Sequence, residues 1–219
     1  MKIDAIIVAA GRSERFKSGR KQFAVIDGKP LVFHTIMNFV NAPEIDKVIT
    51  VLPADSFDSD SAELAALCSS VEYVRGGSQR PDSVINGLKA SNADFVLVHD
   101  GARPLADGKL ISRVCNSLSK GTCVIPCMKP SDTVRLMGEG ASRVFNRDNV
   151  CLVQTPQGAD RSELLKIMKE NTEKGVYMTD EAQYIESSGG TVTVIEGDSR
   201  NIKVTFENDM DFIRSFIRR

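Results

Sequence analysis

Short apolar runs, rich in β-branched residues, recur along the first part of the chain at 3–8, 48–52, 71–74, 95–98 and 122–125. Between them, over 31–40, 62–68, 83–89 and 109–118, apolar residues fall at helical spacing. A short continuous apolar run suits a strand covered on both faces, and recurrence every three or four residues suits a helix covering one of them. Their alternation predicts βαβ units and a mainly parallel sheet, an α/β fold. The rhythm breaks over about 130–153, where 133–137 and 142–147 flank Gly138-Glu139-Gly140. That reads as two short strands around a glycine-bearing turn, a β-hairpin arm projecting from the sheet. A lone hairpin is marginal in water, so the arm needs a surface to pack on, either its own body or a second subunit. Helices at 162–171, 179–188 and 208–218 and a strand at 191–195 complete the pattern, with Thr179-Asp180-Glu181 placing acids at a helix start. Without a linker-like, repeated or low-complexity stretch, 1–219 reads as a single domain.

Composition narrows the function. A net charge of −1 over 219 residues argues against nucleic acid as a partner, which demands a broad cationic surface. No stretch carries the roughly 18 uncharged apolar residues of a membrane span, and the opening apolar run is too short for a signal-peptide core. Cys68, Cys115, Cys123, Cys127 and Cys151 are odd in number and contain no C-x-x-C, which predicts free thiols rather than disulfides or zinc, and a cytoplasmic location.

The positive charge is local. Ala9-Ala10-Gly11 follow the first strand, and Arg12, Arg15, Lys17, Arg20 and Lys21 come next against the single acid Glu14. Small residues that let backbone amides approach, followed by cations, predict a polyphosphate loop. It is neither G-x-x-x-x-G-K-[ST] nor G-x-G-x-x-G. The third and fourth strands lead into 75–83, with Gly76-Gly77, and 99–104, with His99, Asp100 and Arg103. In parallel sheets ligands bind beyond the carboxyl ends of the strands, so these loops predict one site. Gly76-Gly77 followed by Arg80 and Ser83 reads either as a turn and a helix cap or as a place where a flat base lies against the backbone, with Ser83 at a helix start offering a hydrogen bond to its edge. Asp100 reads equally as a magnesium ligand or as an Asp holding its own turn. Arg103 offers a fork suited to phosphate, and His99 reads as a packed imidazole rather than a base. Spacing alone makes Lys203 an exposed lysine.

Ala9-Ala10-Gly11-x-x-x-Arg15, Lys21-Gln22, Gly28-Lys29-Pro30, Gly76-Gly77-x-x-Arg80-x-x-Ser83, His99-Asp100-Gly101-Ala102-Arg103-Pro104, Asp132-Thr133, Gln154-Thr155-Pro156-Gln157, Thr179-Asp180-Glu181-Ala182 and Asn201-Ile202-Lys203-Val204-Thr205 form an ordered set spanning nearly the whole chain. Together they resemble the 2-C-methyl-D-erythritol 4-phosphate cytidylyltransferases of the non-mevalonate isoprenoid pathway. The resemblance implies a Rossmann-like nucleotidyltransferase fold, a homodimer joined by the arm, a requirement for CTP and Mg2+, and transfer of CMP to a polyol phosphate. It implies that Ala9, Ala10, Gly11, Gly76, Ser78 and Ser83 hold the nucleotide, and that Arg15, Lys21 and Lys203 act on the triphosphate and the reaction centre. Asp100, Arg103, Thr133, Arg147, Thr155 and Thr179 would line the polyol-phosphate side, with Asp100 also the metal ligand. A ribitol 5-phosphate cytidylyltransferase would share the fold and most motifs, and a CTP-binding regulatory protein without turnover is the alternative outside enzymes. Three positions depart from the pattern: Arg20 stands in place of a proline and is expected to loosen the loop while adding charge, Arg135 replaces a lysine, and Gly158-Ala159 is expected to remove apolar bulk near an acceptor-side loop.

Overall fold

Strand β1 (Ile3–Val8) carries alternating sides: Ala5 and Ile7 point into one apolar cluster and Ile6 into another. This is why its run reads as continuously apolar rather than alternating. The computed structural model describes residues 1–11, 16, 19–138 and 140–217. After β1 come a single 3-10 turn (Lys21–Phe23), the short pair β2 (Val25–Ile26) and β3 (Lys29–Pro30), α1 (Leu31–Val40), β4 (Lys47–Leu52), α2 (Phe57–Leu67) and β5 (Glu72–Arg75). Next are α3 (Arg80–Ala90), β6 (Phe95–Asp100), α4 (Gly108–Asn116), β7 (Thr122–Met128), and the arm strands β8 (Val134–Gly138) and β9 (Ala141–Phe145). The chain ends with β10 (Leu152–Val153), β11 (Gln157–Asp160), α5 (Arg161–Glu173), α6 (Glu181–Ser187), β12 (Thr191–Glu196) and α7 (Asp209–Ile217). All the strands and helices expected from the pattern are present, with ends shifted by a few residues.

The main sheet runs β5-β4-β1-β6-β11-β7, with β12 beyond β7. β1 is parallel to β4 and β6, with Ala5 facing Val48 and Leu97. Val124 of β7 pairs with Gly158 and with Thr193, so β11 and β12 lie on opposite edges of β7. β11 runs antiparallel between β6 and β7. Its sequence, Gln-Gly-Ala-Asp, carries no apolar run, and this central strand escapes the hydrophobic pattern. Gly158 packs closely there: a Cβ would stand 2.5 Å from Leu118 Cδ2 and 3.0 Å from Val114 Cγ1, so a larger residue would have to displace those side chains. Ala159 is buried in this strand rather than in an acceptor-side loop, which corrects the expectation for that departure.

Helices α1, α2 and α4 cover one face through Val32, Ile36, Phe39, Leu64 and Ile111, and α3, α5 and α6 cover the other through Val84, Leu88, Leu164, Met168 and Ile185. Each such fully buried Leu, Ile or Val contributes about 1.5–3 kcal/mol. A third cluster, Ile26, Leu31, Val204, Met210 and Ile213, packs α7 beside the start of the chain. Among the described residues no helix is long and apolar enough to cross a membrane.

The arm forms its own two-stranded sheet, in which Arg135 faces Val144 and Leu136 faces Arg143. Met137 and Val144 on one face and Leu136 and Phe145 on the other remain exposed. At its foot, β10 pairs with the end of β7, Val153 opposite Cys127. Cys151, next to β10, forms a disulfide with Cys127, the Cα atoms 5.6 Å apart, which corrects the expectation that all five cysteines are free thiols. Spacing could not reveal a pair brought together by register across 24 residues. Cys115 and Cys123 are buried free thiols and Cys68 is a half-buried one.

Candidate active site

The chain leaves β1 through α1 toward β4 on one side, while β6 lies on the other, so the crevice at the carboxyl ends of β1 and β6 is a topological switch point. The loops leaving the strands there are tied to neighbouring strand ends: Ala9 N donates to Val51 O at 2.9 Å, Gly76 N to Leu52 O at 2.7 Å and Gly101 N to Val8 O at 2.9 Å. They enclose a cleft of about 860 Å³, lined by residues including Gly11, Lys21, Gly76, Arg80, Asp100 and Lys203. That volume falls in the range of small-molecule sites.

One wall is backbone. Gly76 lies so close to Ala10 that a Cβ on it would stand 2.5 Å from the Ala10 Cβ. The turn is held by Ser83, whose hydroxyl accepts from Gly77 N at 3.0 Å and donates to Gln79 O at 3.2 Å. Ser83 therefore shapes the Gly76-Gly77 platform from within α3. The cap of that helix is Gln79, paired reciprocally with Asp82. Ser78 lines the cleft and donates to Asp82.

Another part of the lining is ionic. Lys203 Nζ lies 2.8 Å from Asp100 Oδ2, and Arg80 and Arg103 each approach the same carboxylate at 3.7 Å. Burial alone would raise the Asp100 pKa, but Arg80, Lys203 and Arg103 outweigh it and hold the carboxyl well below its usual range. Lys21 Nζ donates to Val204 O at 2.9 Å, and Val204 N to Ala102 O at 2.9 Å. This brings the 3-10 turn, the segment around Lys203 and the loop after β6 together. Lys203 is exposed, as expected, but it lies outside any strand and is an ion-paired residue of the cleft.

His99 is fully buried, its ring 4.8 Å from that of Phe39, and burial pushes its pKa down to about 4. Nε2 bonds to the Arg103 carbonyl at 3.1 Å, so it carries the proton, and Nδ1 accepts the Thr155 hydroxyl at 3.0 Å. The Thr155 oxygen in turn accepts from Asp100 N at 3.1 Å. The imidazole is packed and satisfied, as its alternation suggested.

Over residues 3–219 the chain matches the family model for IspD, 2-C-methyl-D-erythritol 4-phosphate cytidylyltransferase. It belongs to that family of nucleotidyltransferases. It is 33% identical to the 2-C-methyl-D-erythritol 4-phosphate cytidylyltransferase of Clostridium acetobutylicum, covering 98% of this chain and 97% of that protein. It is 37% identical to the bifunctional enzyme IspD/IspF of Desulfotalea psychrophila, covering all of this chain but spanning only 58% of that protein's length. Among solved structures it resembles 4-diphosphocytidyl-2C-methyl-D-erythritol synthase from Anaerococcus prevotii, with TM-score 0.85 and 31% identity over 100% of this chain and 96% of that one.

In this cytidylyltransferase-family chain the residues drawn from the motifs fall into three groups. Ala10, Gly11, Lys21, Gly76, Ser78, Ser83, Asp100 and Lys203 line the cleft. Ala9, Arg103 and Thr155 stand behind it: Ala9 is buried, the Arg103 Nη1 donates to Asn201 O at 2.7 Å, and Thr155 supports Asp100 and His99. Thr133, Arg147 and Thr179 are exposed away from the cleft lining, Arg147 donating to Ser131 O at 2.7 Å at the base of the arm. Arg15 lies outside the described residues.

The expected loosening by Arg20 falls on residues outside the described ones, but the added charge is not free: its guanidinium grips the buried Asp60 of α2 through both terminal nitrogens and donates to Ser56 Oγ at 2.7 Å. The motif reading gave no role to Arg80 or to its buried partner Glu181, because their pairing spans 101 residues. Among the described residues no three His, Cys, Asp or Glu side chains cluster to hold a metal. The donor set, one cleft carboxylate ringed by cations and a second acid, Asp55, on the rim, fits an ion carried by phosphate oxygens, not one caged by protein.

Proposed function

We propose that this chain transfers CMP from CTP to 2-C-methyl-D-erythritol 4-phosphate with release of pyrophosphate, the activity its family is named for. The observation that carries this reading is the cleft, whose lining combines a backbone platform for a base, at Gly76 and Ala10, with a cluster of cations around Asp100. A phosphate monoester, with a second pKa near 6, is largely dianionic at pH 7 and needs no general base. Its oxygen attacks the α-phosphorus, the bond from that phosphorus to the α–β bridging oxygen breaks, and the electron pair leaves on pyrophosphate. The task of the protein is to suppress repulsion and align the groups. Lys21, whose ammonium donates to Val204 O, and Lys203, whose ammonium lies on Asp100, both line the cleft, where they offset the phosphate charge and stabilise the leaving group. Arg15 joins them on the strength of its motif. Asp100 orients Lys203 and would be the residue to hold a nucleotide-bound magnesium ion. When bound, that ion neutralises phosphate charge.

The arm, exposing Leu136, Met137, Val144 and Phe145 on its two faces, supports pairing of two copies into a homodimer. Thr133 and Arg147, at the base of the arm, would then reach the acceptor side of the partner's cleft. Sedimentation should give a dimer, and Leu136→Glu with Val144→Glu should give monomers. The deciding assay is pyrophosphate release from the purified chain with CTP and magnesium, offering 2-C-methyl-D-erythritol 4-phosphate and ribitol 5-phosphate in parallel. Release with the first alone is the expected result. Release only with the second reassigns the acceptor, and silence with both despite CTP binding overturns the reading in favour of a regulatory nucleotide-binding protein.

A further inference from the structure

Glu181 is a fully buried carboxylate that the scheme above does not use. It is the first residue of α6, two positions after Thr179, and it takes both nitrogens of Arg80, the first residue of α3: Nη1 to Oε1 at 2.8 Å and Nη2 to Oε2 at 3.3 Å. The start of α6 is itself bolted to the central antiparallel strand, since Gln157 Oε1 accepts from the backbone of Glu181 at 3.0 Å and Ala182 at 3.1 Å. Gln157 Nε2 also donates to Asp180 at 3.2 Å. A forked arginine–carboxylate pair on such a mount has a fixed plane.

A purely architectural role would be to clip α3 to α6. Buried ion pairs are poor devices for that alone, because apolar replacements are often as stable or more so. Two observations point further. The Arg80 guanidinium lines the cleft, and its Nη2 stands 3.7 Å from Asp100 Oδ1, on the carboxylate that also holds Lys203. The helix that Arg80 opens also carries Ser83, which holds the Gly76-Gly77 turn, while the helix that Glu181 opens lies outside the cleft lining, so the pair ties the platform to an element beyond the cleft.

We propose that Arg80 and Glu181 form a positioning couple: Glu181 fixes the Arg80 guanidinium, which holds the Asp100 carboxylate in place for Lys203. The proposal rests on the CMP-transfer reading. Removing the Arg80 charge alone leaves Glu181 fully buried without its partner and endangers folding, so the test is the double variant Arg80→Gln/Glu181→Gln, in which two amides can still hydrogen-bond. It is compared with Glu181→Gln and wild type by thermal melting, by calorimetric titration with CTP and by steady-state kinetics.

The double variant should melt near wild type and bind CTP within about threefold, while kcat falls about 30- to 100-fold, the scale expected when reacting groups are misplaced by an ångström. The two substitutions should also be non-additive, the double costing no more in kcat than the single. A double variant that regains wild-type kcat along with its melting temperature assigns the pair to architecture and overturns the proposal alone. A wild-type chain that is silent with CTP and acceptor overturns the CMP-transfer reading and this proposal with it.

Discussion

Gly76 is where a single added methyl group tests the geometry of the cleft most directly. A Cβ at this position would stand 2.5 Å from the Ala10 Cβ, 3.0 Å from Leu52 O and 3.1 Å from Ser83 Oγ. Carbon atoms rest at about 3.5–4.0 Å, so the Ala10 loop must recede by about 1 Å. Neither Ala10 nor the Leu52 carbonyl has a rotamer with which to yield. Overpacking of this kind destabilises by about 1–3 kcal/mol, which for a domain of this size lowers Tm by roughly 2–12 °C. The function should suffer more than the fold, because the displaced atoms form the platform, and an ångström of misplacement lowers a rate by about 100-fold. The control is Gly108→Ala at the start of α4, where nothing lies within 4 Å of the new methyl. That change should be neutral or stabilising by less than about 1 kcal/mol. Melting curves, calorimetric titration with CTP and pyrophosphate release on both variants give the comparison. If Gly76→Ala melts, binds CTP and turns over as the wild type does, the loops after β1 and β5 part freely and the close contact has no functional meaning.

Lys21→Ala and Lys203→Ala should each lower kcat by more than they weaken CTP binding, since contacts to developing charge strengthen in the transition state; a rise in CTP KM with kcat unchanged in both would count against this. Asp60→Asn, outside the cleft lining, should lower kcat/KM for CTP by about fivefold at most, because the Arg20 end of the clasp is 44% exposed and such pairs contribute up to about 1 kcal/mol; steady-state kinetics checks it. His99 supplies a pH dependence. Its folded pKa, about 4, lies below the ordinary 6.5, so between those values the unfolded chain takes up a proton that the fold refuses. Stability should be complete above about pH 6.5 and fall by about 2 kcal/mol between pH 7 and pH 5. Asp100 adds nothing in that window, because its depressed pKa acts only below 3.8. Urea unfolding at the two pH values measures the loss, and His99→Gln should flatten it.

What the sequence disclosed followed from local pattern. The covered strands and their helices were legible because burial on both faces writes an unbroken apolar run, and the three loops on one rim follow from a parallel sheet. Asp100 and Gly76 declared themselves by standing at strand ends. Contacts across long separations stayed hidden. Lys203 is exposed as expected, but its pairing with Asp100 appears only in the fold, and the partners of Arg20 and Arg80, at Asp60 and Glu181, belong to helices that nothing in the spacing ties to those arginines. β11 was invisible for another reason: a strand of Gln, Gly, Ala and Asp lies in the core because Gly158 leaves space for Leu118, which is a property of the neighbour.

The bond between Cys127 and Cys151 makes the chain topologically a ring with two tails. Every residue of β8 and β9 lies inside the loop it closes. A protease that cuts the arm once, at any peptide bond between those cysteines, therefore leaves one covalent molecule, which separates into two fragments only under reducing conditions. The fragments would divide the cleft between them, since Asp100 precedes the ring and Lys203 follows it. A clipped chain can keep its two walls joined while losing the continuous arm that projects from them.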